Sequence, residues 1–310
     1  MYSKRPEGML YSTPKNIEYI SSLSGLERAL DNQVTLEAPV VLCDHDLNLH
    51  IEFPCKIKGI IPRDEVIYSK CGDVAKDIAI LTRVGKYIAF KVTEFRRMSS
   101  GEIVAILSRR LAQMECENEF ISALRCGDII KAKVTHLENF GAFVDIGCGI
   151  ISLLSIDCIS VSRISHPRER LSVGESINVV VKSIDERGRI YVSLRELLGT
   201  WNENAELFAE GDTVSGIVRS VESYGIFVEL TPNLAGLAEY RENVHSGQGA
   251  AVYIKSIIPD KMKIKLIIID VQDRILKPEP IKYFINTDST HIDAWTYSPF
   301  KCKKVIESVF

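Results

Sequence analysis

The sequence predicts an all-β protein that consists of small barrels in series. From Val34 onward, short apolar stretches alternate with turns, a pattern that is typical of small barrels. A shift of 84 residues superimposes GDTVSGIVRSVESYGIFVEL, which starts at Gly211, on GDIIKAKVTHLENFGAFVDI, which starts at Gly127. This internal repeat, in a chain of 310 residues, indicates a tandem array of similar domains.

The first part of the chain is predicted to hold an arm, a barrel and a helix. Residues 1–24 contain Pro, Gly, Ser and Tyr without a period, so we expect a flexible N-terminal arm. A short helix over residues 25–31 would begin a first barrel that spans residues 25–110. Ser108 would then cap an amphipathic helix, and residues 111–124 would form the linker helix to the second barrel.

The second barrel, predicted over residues 125–197, opens with two strands of alternating apolar and polar residues. In the first strand, Lys131 and Lys133 point outward. In the second strand the same alternation places Phe143 and Asp145 in solvent. An exposed Phe side chain requires a functional reason.

Strict alternation would place Phe140 and Phe143 on opposite faces of the strand. Gly141 between them can hold a bulge that brings both rings to one surface. Two exposed rings beside lysines on neighbouring strands form a stacking platform for single-stranded nucleic acid. The alternative is that Phe140 is a core residue at a tight turn. The repeat favours the platform, because Tyr224 takes the place of Phe140 and a buried Tyr hydroxyl would need a partner.

The remaining segments are predicted as a linker, a third barrel and an extension. Residues 198–207 form the linker, and residues 208–271 form the third barrel, which repeats the aromatic pair. The first barrel has Leu47 and His50 near the aromatic positions, so we interpret it as a barrel without a platform. Residues 272–310 are too aromatic for an inert tail, and they either pack on the third barrel or bind a partner.

The motif G-D-x-V-x-G-x-V, followed by F-G-A-F-V-D-I, a basic loop with Pro, and R-I-x-V-S-L-R, resembles the S1 RNA-binding domain. This OB-fold module is repeated in bacterial ribosomal protein S1. The resemblance is strong over residues 125–197, clear over 208–271 and weak over 26–110. It implies three tandem five-stranded OB barrels that are joined by short helical linkers.

Members of this family bind single-stranded RNA on the face of the second and third strands, with contacts from the first and fifth strands. The resemblance implies these contacts: Phe140, Phe143, Lys133 and Arg189 in the second barrel, and Tyr224, Phe227, Arg219 and Lys263 in the third. Lys131, Arg168 of the basic loop and Lys265 are further candidates. Many members carry a His at the end of the third strand, where this chain has Ser155 and Glu239. A carboxylate would repel phosphate, so we expect the second barrel to bind more tightly.

Composition limits the other classes of function. The formal net charge of -3 and the pI of about 6.1 predict local rather than global attraction of nucleic acid. The eight cysteines lack zinc spacing, so we expect reduced thiols, no metal and no cofactor. The sequence has no hydrolase or phosphate-loop motif and no long apolar run, which predicts a cytoplasmic protein without membrane contact that is not an enzyme.

The sequence therefore predicts a bacterial protein that binds single-stranded RNA, with mRNA as the expected ligand, in a ribosomal protein S1-like role in translation. The first alternative is a protein-interaction scaffold. Its N-terminal domain would dock on the small ribosomal subunit, or the barrels would dock on an RNA-processing enzyme. The second alternative is a hydrolase whose catalytic residues the sequence does not reveal.

Overall fold

The computed structural model of the protein describes residues 4–69, 76–99, 101–275, 280–286 and 289–310. Across these residues the main strands form three closed five-stranded barrels, so the predicted tandem OB-type architecture is confirmed. The chain divides into two compact units. One unit runs up to Leu124 and also includes Lys131–Lys133 and Asp145–Ile151, and the other contains the remaining residues.

The first barrel has the strand order β1-β2-β3-β5-β4. Its strands are β1 (Leu36–Cys43), β2 (Leu49–Glu52), β3 (Lys58–Ile61), β4 (Tyr87–Arg97) and β5 (Ile103–Ser108). Strands β3 and β5 pair in parallel, and the other neighbours pair antiparallel. Alternate residues face inward, and Phe53 and Phe90 meet in the interior with ring centroids 5.9 Å apart.

Residues 4–24 are folded, which corrects the prediction of a flexible arm for the described part of residues 1–24. Helix α1 (Pro14–Ile20) begins after Thr13, whose hydroxyl accepts the N–H of Asn16. Helix α2 (Leu23–Asp31) begins two residues before the predicted helix, because Ser22 caps it. Leu10 and Ile20 are buried. A helix of seven residues is too short to give a recognisable period.

A short helix, α3 (Asp77–Leu81), precedes β4. The helix after the first barrel, α4 (Arg109–Glu119), begins after Ser108 as predicted. The Ser108 hydroxyl accepts the N–H of Leu111 at 2.9 Å. A 3-10 turn over Ile121–Ala123 replaces the last turn of the predicted helix. Arg109 is buried and forms a two-point ion pair with Glu7, with N–O distances of 2.7 and 3.0 Å.

Asp145 was expected in solvent, but it is buried. Its carboxylate accepts the N–H of Glu7 at 2.7 Å, of Gly147 at 2.8 Å and of Gly149 at 3.0 Å. Burial, and next the neighbouring Glu7 carboxylate, raise the pKa of Asp145 to about 7. The partner Glu7 lies far away in the sequence, so alternation along one strand could not predict this role.

The second barrel has the strand order β10-β8-β7-β6-β9. Its strands are β6 (Ile129–Glu138), β7 (Gly141–Gly147), β8 (Ile150–Ser155), β9 (Ser176–Ile184) and β10 (Ile190–Ser193). Ala132 and Val134 of β6 and Val144 of β7 are fully buried, as predicted from the alternation. Strands β8 and β10 pair in parallel.

The third barrel has the strand order β11-β12-β13-β15-β14. Its strands are β11 (Thr213–Glu222), β12 (Gly225–Thr231), β13 (Leu234–Ala238), β14 (Gln248–Ile258) and β15 (Lys263–Ile275). Strand β15 thus extends beyond residue 271, the predicted end of this barrel. The linker contains helix α5 (Trp201–Ala205), and Trp201 is buried in the core of the third barrel.

The C-terminal extension contains a two-stranded hairpin of β16 (Ala294–Thr296) and β17 (Glu307–Val309). Trp295 and Tyr297 belong to the core cluster of the third barrel. Of the two expectations for this segment, packing on the third barrel is therefore observed. No helix within the described ranges is long and apolar enough to span a bilayer.

Candidate nucleic-acid interface

The second barrel presents Phe140 and Phe143 together on its surface. The Phe140 side chain is 56% exposed, and Phe143 is partly exposed. Their rings meet edge to face, with centroids 5.9 Å apart. Gly141 permits this arrangement, because a Cβ atom there would lie 2.4 Å from the carbonyl oxygen of Leu154. The alternative that Phe140 is a core residue is therefore wrong.

The third barrel repeats this pair with nearly the same geometry. Tyr224 is 68% exposed, and its ring lies 6.2 Å from that of Phe227 at an interplanar angle of 86°. Gly225 has a positive φ of 152°, and a Cβ atom there would lie 2.6 Å from the carbonyl oxygen of Ala238. The two aromatic-Gly-x-aromatic motifs therefore build the same local structure.

Strand register places cations beside the aromatic pair of the third barrel. Ser220 pairs with Phe227, Phe227 with Leu237, and Leu237 with Lys265. These four residues form a row across the sheet, which we call the outer row. Since neighbouring strands are about 4.8 Å apart, the Cα atom of Lys265 lies about 10 Å from that of Phe227. Lys263, two residues earlier on the same face, is also exposed.

The outer row of the second barrel is more aromatic. Leu153 pairs with Tyr191, so Tyr191 occupies the position that Lys265 has in the third barrel. Arg189 takes the position of Lys263. Its side chain is 61% exposed, and its Nε lies 3.6 Å from the Asp185 carboxylate.

His136 adds a third ring beside this aromatic pair, which the sequence interpretation missed. Its ring stacks on Phe143 with centroids 6.4 Å apart and an interplanar angle of 22°. Strict alternation places this position inside the barrel. In the third barrel, however, a register shift between Val218 and Ser220 turns Ser220 outward, and His136 precedes Ser220 by 84 residues. A bulge of this kind leaves no reliable signal in the sequence.

The candidate lysines of β6 differ in availability. Lys131 is exposed, as expected. Lys133 donates from Nζ to the carbonyl oxygen of Glu7 at 2.9 Å and is only partly exposed. This hydrogen bond corrects the expectation that Lys133 is free for phosphate. The cause is the folded N-terminal segment, which supplies the acceptor.

Arg219 is also engaged within the protein, which corrects its expected role as a phosphate contact. Its side chain is only 9% exposed. Its Nε and Nη2 donate to Glu229 at 2.8 and 3.1 Å, and its Nη1 pairs with Glu169. Arg168, in the 3-10 turn Pro167–Glu169, is exposed.

The end of the third strand differs between the two repeats. Ser155 ends β8 and is partly exposed, whereas Glu239 follows β13 and is exposed. Tyr240, beside Glu239, is 56% exposed and was not among the predicted contacts. The third barrel thus combines an additional exposed ring with the predicted carboxylate.

Three of the four residues in the outer row of the first barrel are aliphatic, and the fourth is His50. Leu42 pairs with His50, His50 with Ile60, and Ile60 with Ile106. His50 corresponds to Phe227 in this register, but its Nε2 lies 2.8 Å from the Asp44 carboxylate. This hydrogen bond is the largest cause of a lowered Asp44 pKa. The residues at the platform positions therefore offer neither a large aromatic face nor an unpaired cation.

Comparisons with known proteins find a family and several relatives that are similar to this chain in sequence. The family model described as S1 RNA binding domain matches residues 124–195. The chain is 29% identical over 273 residues to the small ribosomal subunit protein bS1 of Staphylococcus saprophyticus, covering 86% of this chain and 66% of the relative. It is 30% identical over 241 residues to the bS1 of Staphylococcus aureus, covering 76% of this chain and 58% of the relative. This chain thus spans less than two thirds of the length of these relatives.

A similar solved structure is a multidomain protein with nucleic acid binding domains from Streptococcus pneumoniae. Its sequence identity is 12% and its TM-score is 0.25, and the match covers 76% of this chain and 72% of that protein.

Proposed function

We propose that this chain binds single-stranded RNA through its second and third barrels. Two findings support this: residues 124–195 match the family described as S1 RNA binding domain, and the chain is similar to the bS1 proteins of two staphylococci. We infer a ribosomal protein S1-like role in translation, with mRNA as the ligand, in the bacterial cytoplasm. The name of its relatives, small ribosomal subunit proteins, supports this setting. Base stacking tolerates every base, so we expect little sequence preference.

The observation that carries the proposal is the repeated aromatic pair. Phe140 and Tyr224 are more than half exposed, although an exposed ring contributes little to the stability of a barrel. Each is held edge to face against a second ring, Phe143 or Phe227, so the orientation is set before a base arrives. Preformed rings lose little conformational entropy on binding.

Electrostatic contacts would complement the stacking. Lys131, Arg168 and Arg189 in the second barrel, and Lys263 and Lys265 in the third, are exposed and available to phosphate groups. The total charge of the chain is -3, so attraction must come from these local positions and fall with added salt. Lys133 and Arg219 are not included, because their donor groups already have partners within the protein.

The experiment is a fluorescence anisotropy titration of the full chain with an unstructured, pyrimidine-rich RNA oligonucleotide. The test variant carries Phe143→Leu and Phe227→Leu, which remove one ring from each platform. We expect its affinity to fall by at least about fivefold, since stacking contributes about 1–3 kcal/mol per base.

The matched control is Leu42→Ala, a truncation in the outer row of the first barrel at a side chain that is 54% exposed. The control should bind as the wild type does. If the double ring variant also binds as the wild type does, the platform is not the RNA site. Loss of the RNA during the titration in the presence of divalent metal would instead support a hydrolase, whereas we propose that the protein is not an enzyme.

For the first barrel we infer a docking role on the small ribosomal subunit. The specific observation is its outer row, in which aliphatic Ile106 takes the position of Tyr191 and Lys265, and aliphatic Leu42 lies at the exposed end. The test is co-sedimentation of the full chain with ribosomal subunits. Leu42→Glu, which places a charge in the exposed end of this row, should reduce co-sedimentation without changing the affinity for a free oligonucleotide.

A further inference from the structure

The loop of the C-terminal hairpin, residues 299–305, combines a fully exposed ring with a local positive charge. Phe300 projects fully into solvent. Lys301, Lys303 and Lys304 are also exposed, and no acidic residue lies in this loop. Across the whole chain, by contrast, 41 acidic residues outnumber 38 basic ones. A cluster of this composition is typical of surfaces that hold single-stranded nucleic acid.

The loop is presented by a well-anchored base. Below it, Tyr297 donates its N–H to Ile306 at 2.9 Å, and Ile306 donates its N–H to the Ser298 hydroxyl at 2.9 Å. The Tyr297 side chain is buried, and its hydroxyl donates to the Asn233 carbonyl. A turn at the tip is closed by a hydrogen bond from the Cys302 N–H to the Pro299 carbonyl at 2.9 Å. The ring and the lysines are therefore held on a supported structure and not on a loose tail.

The hairpin also adjoins the platform of the second barrel. A cavity of about 440 Å³ is lined by Ile306 of the hairpin, by Arg195, and by Ile156 and Arg163 of the loop after β8. Ile156 donates its N–H to the carbonyl oxygen of Phe140 at 2.9 Å. Ile156 thus connects the two features, because it is hydrogen-bonded to the backbone of Phe140 and lines the same cavity as Ile306 of the hairpin.

We propose that residues 299–305 form an additional contact for single-stranded RNA, which the strand reaches after it leaves the Phe140 platform. Phe300 stacks on a base, and the three lysines bind phosphate groups of the backbone. This inference rests on the proposed function but concerns a segment outside the residues 124–195 that match the family. The RNA path runs over the cavity wall, where the exposed Arg163 supplies positive charge near the carboxylate of Asp157, while Arg195 is ion-paired with Glu196.

The test compares two unstructured oligonucleotides with the full chain. One has about 5 nucleotides, close to the minimum for one OB barrel, and the other has about 16. The hairpin variant carries Phe300→Ser, Lys301→Gln, Lys303→Gln and Lys304→Gln, all at exposed positions. We expect about tenfold weaker binding of the long oligonucleotide and a salt slope that is smaller by about 0.7 for each phosphate group that the variant no longer binds. Binding of the short oligonucleotide should not change.

The matched control carries Lys15→Gln, Lys56→Gln and Lys76→Gln, which remove the same charge at exposed positions elsewhere. It should bind both oligonucleotides nearly as the wild type does. The inference is overturned if the hairpin variant binds the long oligonucleotide as the wild type does, or if the control variant is weakened as much. It is also overturned if the hairpin variant weakens both oligonucleotides equally. A wild type that fails to bind the short oligonucleotide, but whose binding of the long one depends on the hairpin, would contradict the platform and support the hairpin.

Discussion

Replacement of Phe140 separates stacking from structural stability. More than half of this side chain is exposed, and its main neighbour is the edge of Phe143 at 5.9 Å. Truncation of a fully buried Phe costs about 3–5 kcal/mol of stability, so at this site we expect Phe140→Ala to lower the free energy of unfolding by about 1–2 kcal/mol. Loss of one stacked base costs about 1–3 kcal/mol of binding, which weakens affinity by about 5- to 150-fold.

Two conservative variants sharpen this prediction. Phe140→Leu keeps most of the apolar volume but removes the ring, so its stability should remain near that of the wild type while RNA affinity falls. Phe140→Tyr keeps the ring, and the chain itself places a Tyr at the equivalent position, Tyr224. It should therefore bind RNA nearly as well as the wild type. Affinity is measured by fluorescence anisotropy, and stability by urea unfolding followed by far-UV circular dichroism.

The RNA affinities of the wild type and the three Phe140 variants show whether the ring stacks on a base or only supports the fold. Stacking requires that wild type and Phe140→Tyr bind similarly and that the Leu and Ala variants both bind weakly. If Phe140→Leu binds as the wild type does, the ring serves only as apolar surface. If affinity instead follows the unfolding free energy across the series, Phe140 acts through the fold, and the reasoning from its exposure is refuted.

Three further predictions concern charge. Lys263→Gln and Lys265→Gln should each reduce the slope of log affinity against log salt concentration by about 0.7 and weaken binding equally for all RNA sequences. A selective effect on one oligonucleotide would mean that these lysines contact bases. Glu239→His should strengthen binding at low salt, by roughly 1 kcal/mol before screening, and titration at two salt concentrations checks this. Burial is the largest cause of a Glu37 pKa raised from 4.5 to about 7. Because a raised folded-state pKa gives stability that is present at low pH and lost as the pH rises through about 7, the contribution of Glu37 to the unfolding free energy should fall by up to about 3 kcal/mol from pH 4.5 to 8. The raised pKa of Asp145 acts in the same direction, so Glu37→Gln removes only a part of the total fall. Glu37→Gln should flatten that fall in urea titrations across this pH range.

The parts of the site that the sequence predicts are those set by local pattern. The aromatic-Gly-x-aromatic motif occurs twice at a fixed shift, and both motifs form an edge-to-face ring pair whose first ring is more than half exposed. The required glycines also follow from sequence, since Gly141 and Gly225 lie where a backbone carbonyl approaches closely. Local spacing and a repeated motif were sufficient for these elements.

The parts that the sequence does not predict depend on distant partners. Lys133 and Arg219 occupy positions that strict alternation places on the outer face of their strands. Lys133, however, donates a hydrogen bond to Glu7, and Arg219 forms ion pairs with Glu169 and Glu229. Whether a cation on a strand is free depends on what packs over it, and these partners are 126, 50 and 10 residues away in the chain. The orientation of His136 could not be predicted for a different reason. A single bulged residue reverses which residues of a strand face inward from that point on.

The three barrels show how one backbone carries different surfaces. The register fixes which four residues form the outer row, and the side chains there decide what the row can bind. In the third barrel the row is Ser220, Phe227, Leu237 and Lys265, and in the first barrel it is Leu42, His50, Ile60 and Ile106. In the second barrel Leu153 pairs with Tyr191, and the 84-residue repeat adds His136 and Phe143 to this row. The row of the second barrel is mainly aromatic, that of the third barrel is mixed and contains a cation, and that of the first barrel is mainly aliphatic.

Since aliphatic groups neither stack on bases nor attract phosphate, the row of the first barrel should bind RNA least. It can still be buried against an apolar protein surface, where the gain is proportional to the area removed from water. A role in which one barrel docks on protein while the other two hold RNA therefore needs no change of fold, only a change at three of these four positions, since the position of Leu153, Leu237 and Ile60 is aliphatic in every barrel.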